Sequence, residues 1–316
     1  MKAAVVNVLG QPPQYQDFPD PQLAENEVFI QVRAAGLHPI VKAIASGSHY
    51  SSRGEVPMVA GIDGVGVRPD GARVYFGGAR KPWGTMAERC SVPTSMCLPL
   101  PDGIDDLQAA AIANPGMSAW LSLKDRAEVK PGETVLILGA TGVAGHLAIQ
   151  AARLLGAKRI VAAGRNVDAL AHENVDGVIA LGEPEEAVRK GFIDAAEKGI
   201  DVVIDYLWGR PTELLLEALA KGFRPGATQA TRLVEVGESA GKSIMLPGAT
   251  LRSIDLRLMG SGFGSVPLNR VLSAIPELFD LAAKGSLRVE VEAVPLADVE
   301  VAWTRVEKGR RIVFVP

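Results

Sequence analysis

One segment restricts what this chain can fold into more than any other: Thr134-Val-Leu-Ile-Leu-Gly-Ala-Thr-Gly-Val-Ala-Gly145. Its first five residues, Thr134 to Leu138, are β-branched or aliphatic throughout, the composition of a strand covered on both faces. Gly139, Gly142 and Gly145 follow at three-residue spacing. Val143, Ala144, Leu147, Ala148, Ala151, Leu154 and Leu155 then recur at helical intervals, and Gly156 stands where a C-terminal cap is expected,. Arg159 to Ala163 supplies a second strand. A glycine triplet alone is weak. Between a strand and an amphipathic helix, it meets the context that a dinucleotide-binding turn demands. Glycines permit the tight turn and close backbone approach, and the helix start offers N–H groups to a pyrophosphate. The alternative is a structural βα turn with no ligand. Gly139, Ala140, Thr141, Gly142, Val143 and Ala144 are therefore the first cofactor candidates.

The flanks differ in texture. Before residue 107, strand candidates crowd together: Lys2–Val8, Glu27–Ala34, Gly64–Val67, Arg73–Phe76 and Met86–Val92, separated by turns such as Pro69-Asp70-Gly71, with a short helix near Ile40–Ala45,. Such a run predicts a barrel-like or sandwich module. Beyond it, a helix capped by Asp105 or Asp106 is expected through Ala109–Ala113, and a separate one after Pro115, at Met117–Arg126. Strands at Val178–Ala180, Val202–Asp205 and Arg232–Val236 alternate with helices, Leu214–Ala220 among them. Ser253–Met259 reads as an edge strand. The pattern predicts an α/β doubly wound parallel sheet. The tail predicts a long helix at Leu268–Lys284, a strand at Arg288–Ala293, a helix at Leu296–Glu307 and a last strand at Arg311–Val315. That strand needs partners, and the N-terminal β module is the place to find them. The expected division is 1–110 with 265–316 for the β-rich module and 111–264 for the dinucleotide domain.

Composition narrows the function classes. A chain of 316 residues, 47% hydrophobic and 22% charged, is globular in character rather than disordered,. Its net charge of −3 and scattered Lys and Arg give no field for nucleic acid,. No apolar run reaches membrane-spanning length, and Met1-Lys-Ala-Ala-Val-Val lacks a signal-peptide core,. Cys90 and Cys97, at C-x6-C spacing, match no common zinc motif and are expected as free thiols in a reducing compartment, the cytoplasm by default,.

Several further segments recur in a fixed order: Gly61-Ile-Asp-Gly-Val-Gly66, Gly84-Thr-Met-Ala-Glu88, the run from Ala109 to Trp120, Val129-Lys-Pro-Gly-Glu-Thr-Val135, Asp201-Val-Val-Ile-Asp205 and the run from Leu251 to Ser261. With the mid-chain glycine loop, they make the chain resemble the medium-chain dehydrogenase/reductase superfamily over nearly its full length. The branch it is most similar to is that of the zinc-independent quinone oxidoreductases and enoyl reductases. The resemblance implies a Rossmann domain, a GroES-like substrate domain built from both chain ends, a nicotinamide cofactor, and often a homodimer paired through edge strands, here Ile254–Met259.

Relatives that hold zinc carry a Cys and a His where this chain has His38 and Ile62. Isoleucine ligates nothing, and the four-cysteine lobe of those relatives is missing, so no metal is expected. His38 is a candidate cleft contact, or equally a histidine anchoring a loop. The second strand of the βαβ unit ends Gly164-Arg165-Asn166 with no carboxylate at its tip. NAD readers place an acid there; a guanidinium suits the 2′-phosphate of NADPH instead. A solvent-facing arginine is the bland alternative. By resemblance, Asn114, Met117 and Ser118 fall near the nicotinamide and phosphates, Tyr206 near adenine or ribose, Val236 and Gly237 at the next strand end, and Gly262 and Phe263 near the nicotinamide. Tyr50 is the proton-donor candidate, an exposed loop tyrosine being the alternative, and Trp83 and Phe263 are candidate apolar walls or core.

Without a metal, hydride needs an electron-poor acceptor, which favours quinones or α,β-unsaturated carbonyls over unactivated alcohols and ketones. Three alternatives stay open. One is an NADPH-binding sensor, another is a catalytically degenerate relative, and the third is a carbonyl reductase of the alcohol dehydrogenase type.

Overall fold

The computed structural model describes residues 1–49, 52, 54–170, 173–221, 230–262, 264–306 and 309–316. Tyr50 and Phe263 lie outside the described residues. Contacts divide the chain into two compact units, Met1–Pro115 with Ile275–Pro316, and Gly116–Ala274.

The first unit opens with β1 (Lys2–Val6), β2 (Gln14–Asp17), β3 (Glu27–Gly36), the short helix α1 (Pro39–Ala45), β4 (Met58–Val59), β5 (Asp63–Val67), β6 (Arg73–Gly77), β7 (Arg89–Pro93) and β8 (Cys97–Pro99). Alternation of apolar residues along β3 buries Ile30, Val32 and Ala34 and leaves Gln31 and Arg33 exposed,. Helix α2 (Asp106–Leu121) follows, with Pro115 inside it, and a single π-helical turn, Ser122–Arg126, extends it. Two helices broken at Pro115 were the expectation. Proline interrupts a helix because it lacks the N–H and crowds a carbonyl, at a cost of about 3 kcal/mol. Here Ala109–Ala113 before it and Ala119–Leu121 after it are buried, and packing on both sides holds the helix together.

The second unit is built from β9 (Thr134–Leu138), α3 (Val143–Leu154), β10 (Arg159–Gly164), β11 (Gly177–Ala180), α4 (Glu185–Glu197), β12 (Val202–Asp205), α5 (Arg210–Lys221), β13 (Thr231–Glu235), α6 (Gly248–Ser253) and β14 (Leu256–Gly260). All five strand pairs are parallel, in the order β11-β10-β9-β12-β13-β14. Counted from β9, this is 3-2-1-4-5-6, the order of the doubly wound dinucleotide-binding sheet,. Val135 to Leu138 are wholly buried, so β9 is covered on both faces. Leu136, Leu138, Val161, Val203 and Leu233 pack with Val188 and Phe192 of α4 and Leu214 and Leu215 of α5.

Helix α7 (Leu268–Ala283) carries the chain back to the first unit, where β15 (Glu290–Pro295), α8 (Val299–Trp303) and β16 (Arg310–Val315) complete it. The last strand pairs antiparallel with β3 and parallel with β15. The sheet runs β15-β16-β3-β5-β6-β8, with β7 also on β3, beside a smaller sheet β2-β1-β4. Trp303, Ile312 and Phe314 from the tail share a core with Ala4, Val6, Leu37 and Met86 from the head. The helix expected over Leu296–Glu307 is shorter: a 3-10 turn at Leu296–Asp298, then α8. Its buried stripe of Val299, Ala302 and Trp303 stops there, and Val306 is 82% exposed. Among the described residues, no helix is long and apolar enough to cross a membrane.

Candidate functional site

In a doubly wound sheet, ligands gather beyond the carboxyl ends of the strands where the strand order reverses. Here that place is between β9 and β12. The three loop glycines are glycine for different reasons. Gly139 has φ +85°, a conformation L side chains rarely adopt, and sits against Tyr206 and Leu207 at the end of β12,. Gly145 is forced by packing, since a Cβ there would lie 2.3 Å from the Gly139 carbonyl oxygen. Gly142 has neither constraint. Its φ is −89°, and a Cβ would meet nothing nearer than the Gly139 carbonyl oxygen at 3.5 Å. It is the N-cap of α3, where no side chain caps the helix. The first N–H groups of α3 are thus left to whatever stands beyond Gly142.

The neighbouring strand end is locked to this loop. The Ala163 carbonyl accepts from the N–H groups of both Gly139 and Ala140, at 2.9 and 3.0 Å. A Cβ on Gly164 would fall 2.5 Å from Thr141 Cγ2, so the two turns interdigitate. Arg165 and Asn166 emerge exposed directly after. The Arg165 guanidinium has no ion-pair or hydrogen-bond partner among the described residues.

Beyond β12, Asp205 is wholly buried and accepts hydrogen bonds from Leu207 N (2.8 Å), Trp208 N (2.9 Å) and Thr212 Oγ1 (2.6 Å). Burial pushes its carboxyl above the ordinary carboxylate range, against the pull of those bonds. Burial likewise raises Glu235, with Asp205 and Glu238 adding to the effect. The Asp205 carbonyl takes the N–H groups of Val236 and Gly237, and Gly237 lies against the Tyr206 backbone. The Tyr206 hydroxyl is buried, which raises its titration range, and Ser118 is the side chain that pulls it back. Gly262 closes a small turn by donating to Ser265 Oγ at 2.7 Å.

One cluster at the strand ends of the second unit thus gathers Ser118, Gly139 to Ala144, Gly164, Arg165, Asn166, Tyr206, Val236 and Gly237. Met117 stands beside Ser118 on α2, and Asn114 belongs to the first unit. Sequence reasoning assigned no role to Asp205 or Thr212. The signal was a strand-ending Asp followed by a Trp-Gly turn, in which Trp208 and Gly209 both take positive φ.

In the first unit, His38 is 0% exposed. Its Nε2 lies 3.4 Å from Asp63 Oδ1, and Asp63 Oδ2 accepts from the Tyr75 hydroxyl at 2.8 Å. Burial lowers the imidazole below its ordinary value despite Asp63. Arg311, also buried, donates to the Leu37 carbonyl beside it. The His38 side chain is enclosed, and both its ring nitrogens are buried with no hydrogen-bond partner among the described residues. Among the described residues, no group of three or more His, Cys, Asp and Glu side chains converges as a metal site would require,. Trp83 donates from its ring to the Pro19 carbonyl and lies under Arg80. Cys90 and Cys97 are unpaired, and burial pushes the Cys90 thiol up to about 12.

No family model matches the chain. It is 27% identical to the probable NADPH-dependent quinone reductase tdiC of Emericella nidulans, over 100% of both chains. It is 30% identical to the quinone oxidoreductase of Sus scrofa, over 73% of this chain and 72% of that one. Among solved structures, the quinone oxidoreductase of Thermus thermophilus, described together with its NADPH complex, superposes with a TM-score of 0.77 at 30% identity, covering all of both chains.

Proposed function

The chain belongs to the quinone oxidoreductase branch of the medium-chain dehydrogenase/reductase superfamily, and from that premise we propose that it binds NADPH and reduces a quinone or an α,β-unsaturated carbonyl without zinc. The observation that carries this reading is Gly142. The fold accounts for its two partner glycines, whereas Gly142 leaves open an uncapped helix N-terminus at the switch point of the sheet,. The similar tdiC and Thermus thermophilus proteins are described with NADPH, which agrees.

When bound, a reduced nicotinamide supplies hydride to an electron-poor acceptor. The chain's own part is to hold and orient. The N–H groups at the start of α3 favour a pyrophosphate through charge and direct hydrogen bonds. Arg165, free of other partners among the described residues, takes the 2′-phosphate. Tyr206, Val236 and Gly237 line the β12 and β13 side, Gly262 and Phe263 the nicotinamide end, and Asn114, Met117 and Ser118 belong to the same reading through α2. The oxygen of the reduced acceptor then needs a proton, and we assign Tyr50 to it. His38 receives an anchoring role from its burial, and the reading of zinc independence rests on Ile62, a residue that ligates nothing, standing where zinc-holding relatives carry a histidine,. A cytoplasmic enzyme fits two unpaired thiols,. A homodimer joined along β14 fits the outer position of that strand and the exposure of Leu258.

Gly142→Ala tests the central contact. Because a Cβ has room and φ is ordinary, stability is expected to change by about 1 kcal/mol or less. Affinity for NADPH, titrated by calorimetry, is expected to fall about tenfold or more as the methyl blocks the helix start. An unaltered Kd would remove the pyrophosphate from α3. Turnover of 1,4-benzoquinone with NADPH separates an enzyme from a protein that only binds the nucleotide. Tyr50→Phe is expected to lower enone turnover by about 100-fold, within the usual range for a general acid, with little change in NADPH affinity. Full retained turnover would discard Tyr50 as donor.

A further inference from the structure

The helix that presents its N-terminus at the glycine turn also grips the segment that follows Arg165. His146, in the first full turn of α3, bonds its own N–H to the Gly142 carbonyl at 2.9 Å. Its Nδ1 meets Glu173 Oε1 at 2.5 Å, with both side chains largely covered, at 17% and 20% exposure. The other ring nitrogen, Nε2, is buried and has no hydrogen-bond partner among the described residues. Among the described residues, the ring is held through Nδ1. One full-length side of α3 then continues the grip. Arg153 donates to the Asn174 carbonyl and to Asp176 Oδ2 at 2.5 Å, and Asp176 also accepts from Ile160 N of β10.

Glu173 closes the segment that Arg165 opens. Its N–H bonds to the Leu170 carbonyl, and Leu170 is buried at the end of a 3-10 turn, Val167–Leu170, that starts two residues after Arg165. On the strand side of Arg165, Gly164 lies against Thr141 and accepts from Leu181 N at 2.9 Å; on the other side, the Asn166 carbonyl accepts from Ala169 N at 3.2 Å. The Arg165 side chain is exposed and has no hydrogen-bond or ion-pair partner among the described residues. The far end of the segment, at Glu173, is held to α3 through His146.

We infer that the His146–Glu173 pair is a positioning pair for cofactor discrimination: it ties the Arg165 segment to the pyrophosphate-facing helix and so sets where a guanidinium meets a 2′-phosphate. The inference rests on the reading of Arg165 as the 2′-phosphate contact. A fixed frame matters because a bidentate bond tolerates little misplacement, and a loop site ordered beforehand loses less entropy on binding. The pair touches no substrate and takes no part in hydride transfer.

The test is a double-mutant cycle read by calorimetry with NADPH and NADH on the full-length protein. Glu173→Gln keeps the shape and removes the charge, and His146→Ala reaches the same pair from the helix side. Each is expected to weaken NADPH about fivefold to tenfold, with NADH changed by less than about twofold. In an Arg165→Ala background, the effect of Glu173→Gln on NADPH is expected to vanish. A purely structural role would weaken both nucleotides alike, or persist in that background, and either result overturns the proposal. If Arg165→Ala alone fails to discriminate the two nucleotides, the 2′-phosphate reading is lost and the pair loses its object. If Arg165→Ala discriminates but the cycle is additive, the cofactor reading stands and the positioning role falls.

Discussion

Replacing Arg165 with alanine is expected to raise the Kd for NADPH by about 10- to 100-fold while leaving that for NADH within about twofold. The two nucleotides differ only in the 2′-phosphate, so a selective loss assigns the guanidinium to that group. A charge-assisted hydrogen bond contributes about 1.5–3 kcal/mol, and each 1.4 kcal/mol is a factor of ten. The arginine meets the conditions for such a bond. It follows the strand next to β9 in the sheet, beyond the carboxyl end, and no carboxylate stands at the tip to claim a ribose hydroxyl,. Among the described residues, its guanidinium has no partner to give up on binding. Arg165→Lys is expected to fall between, since an ammonium keeps charge but lacks the planar fork. Equal weakening of NADPH and NADH, measured by calorimetry at one ionic strength, would take the 2′-phosphate away from this residue.

What the bare sequence revealed follows physical lines. The β9–loop–α3 unit was legible because a doubly buried strand, a glycine turn and a helical stripe are all local patterns. The strand order was not, because register and neighbours depend on contacts far apart in sequence; the switch point between β9 and β12 is a property of the assembled sheet. Helix α4 is hard to read from sequence although Val188, Phe192, Ala195 and Ala196 form its buried face, because its apolar residues are mostly small and stand among many charges. Pro115 misled in the opposite direction, since local rules predict a break and burial on both sides overrides it. At the candidate site, the glycines and Arg165 announced themselves by residue type. The partners that fix the turns did not. His146, Glu173 and Asp205 are ordinary residues whose work is visible only through what they bond. His38 shows the converse, a residue that draws attention by type and proves to be enclosed with Asp63, Tyr75 and Arg311.

Asp205→Ala is expected to destabilise the protein by about 3 kcal/mol and to weaken NADPH and NADH together. The carboxylate is buried at the end of β12, and its oxygens satisfy the N–H groups of Leu207 and Trp208 and the hydroxyl of Thr212, itself wholly buried. Leaving such donors unpaired costs about 1–3 kcal/mol each, and partial solvation of the turn brings the sum for the three to the low end, about 3 kcal/mol. Removing a buried carboxylate, whose titration burial raises against the pull of those bonds, offsets part of this loss,. The turn matters to the nucleotide because Tyr206 and Leu207 are what Gly139 rests on. If the turn loosens, the glycine loop loses its floor, and a pyrophosphate bound there weakens whether or not a 2′-phosphate follows. Asp205→Asn separates the two oxygens. The amide oxygen still accepts from Leu207 and Trp208, and the Thr212 hydroxyl can turn to accept from the new amide. That variant is therefore expected to lose about 1 kcal/mol and to keep most of its nucleotide affinity. Thermal or urea unfolding of both variants, alongside titration with both nucleotides, decides the matter. If alanine proves as mild as asparagine, Asp205 does not hold the floor of the site. If Asp205→Ala weakens only NADPH, its effect runs through the Arg165 segment instead of the turn after β12.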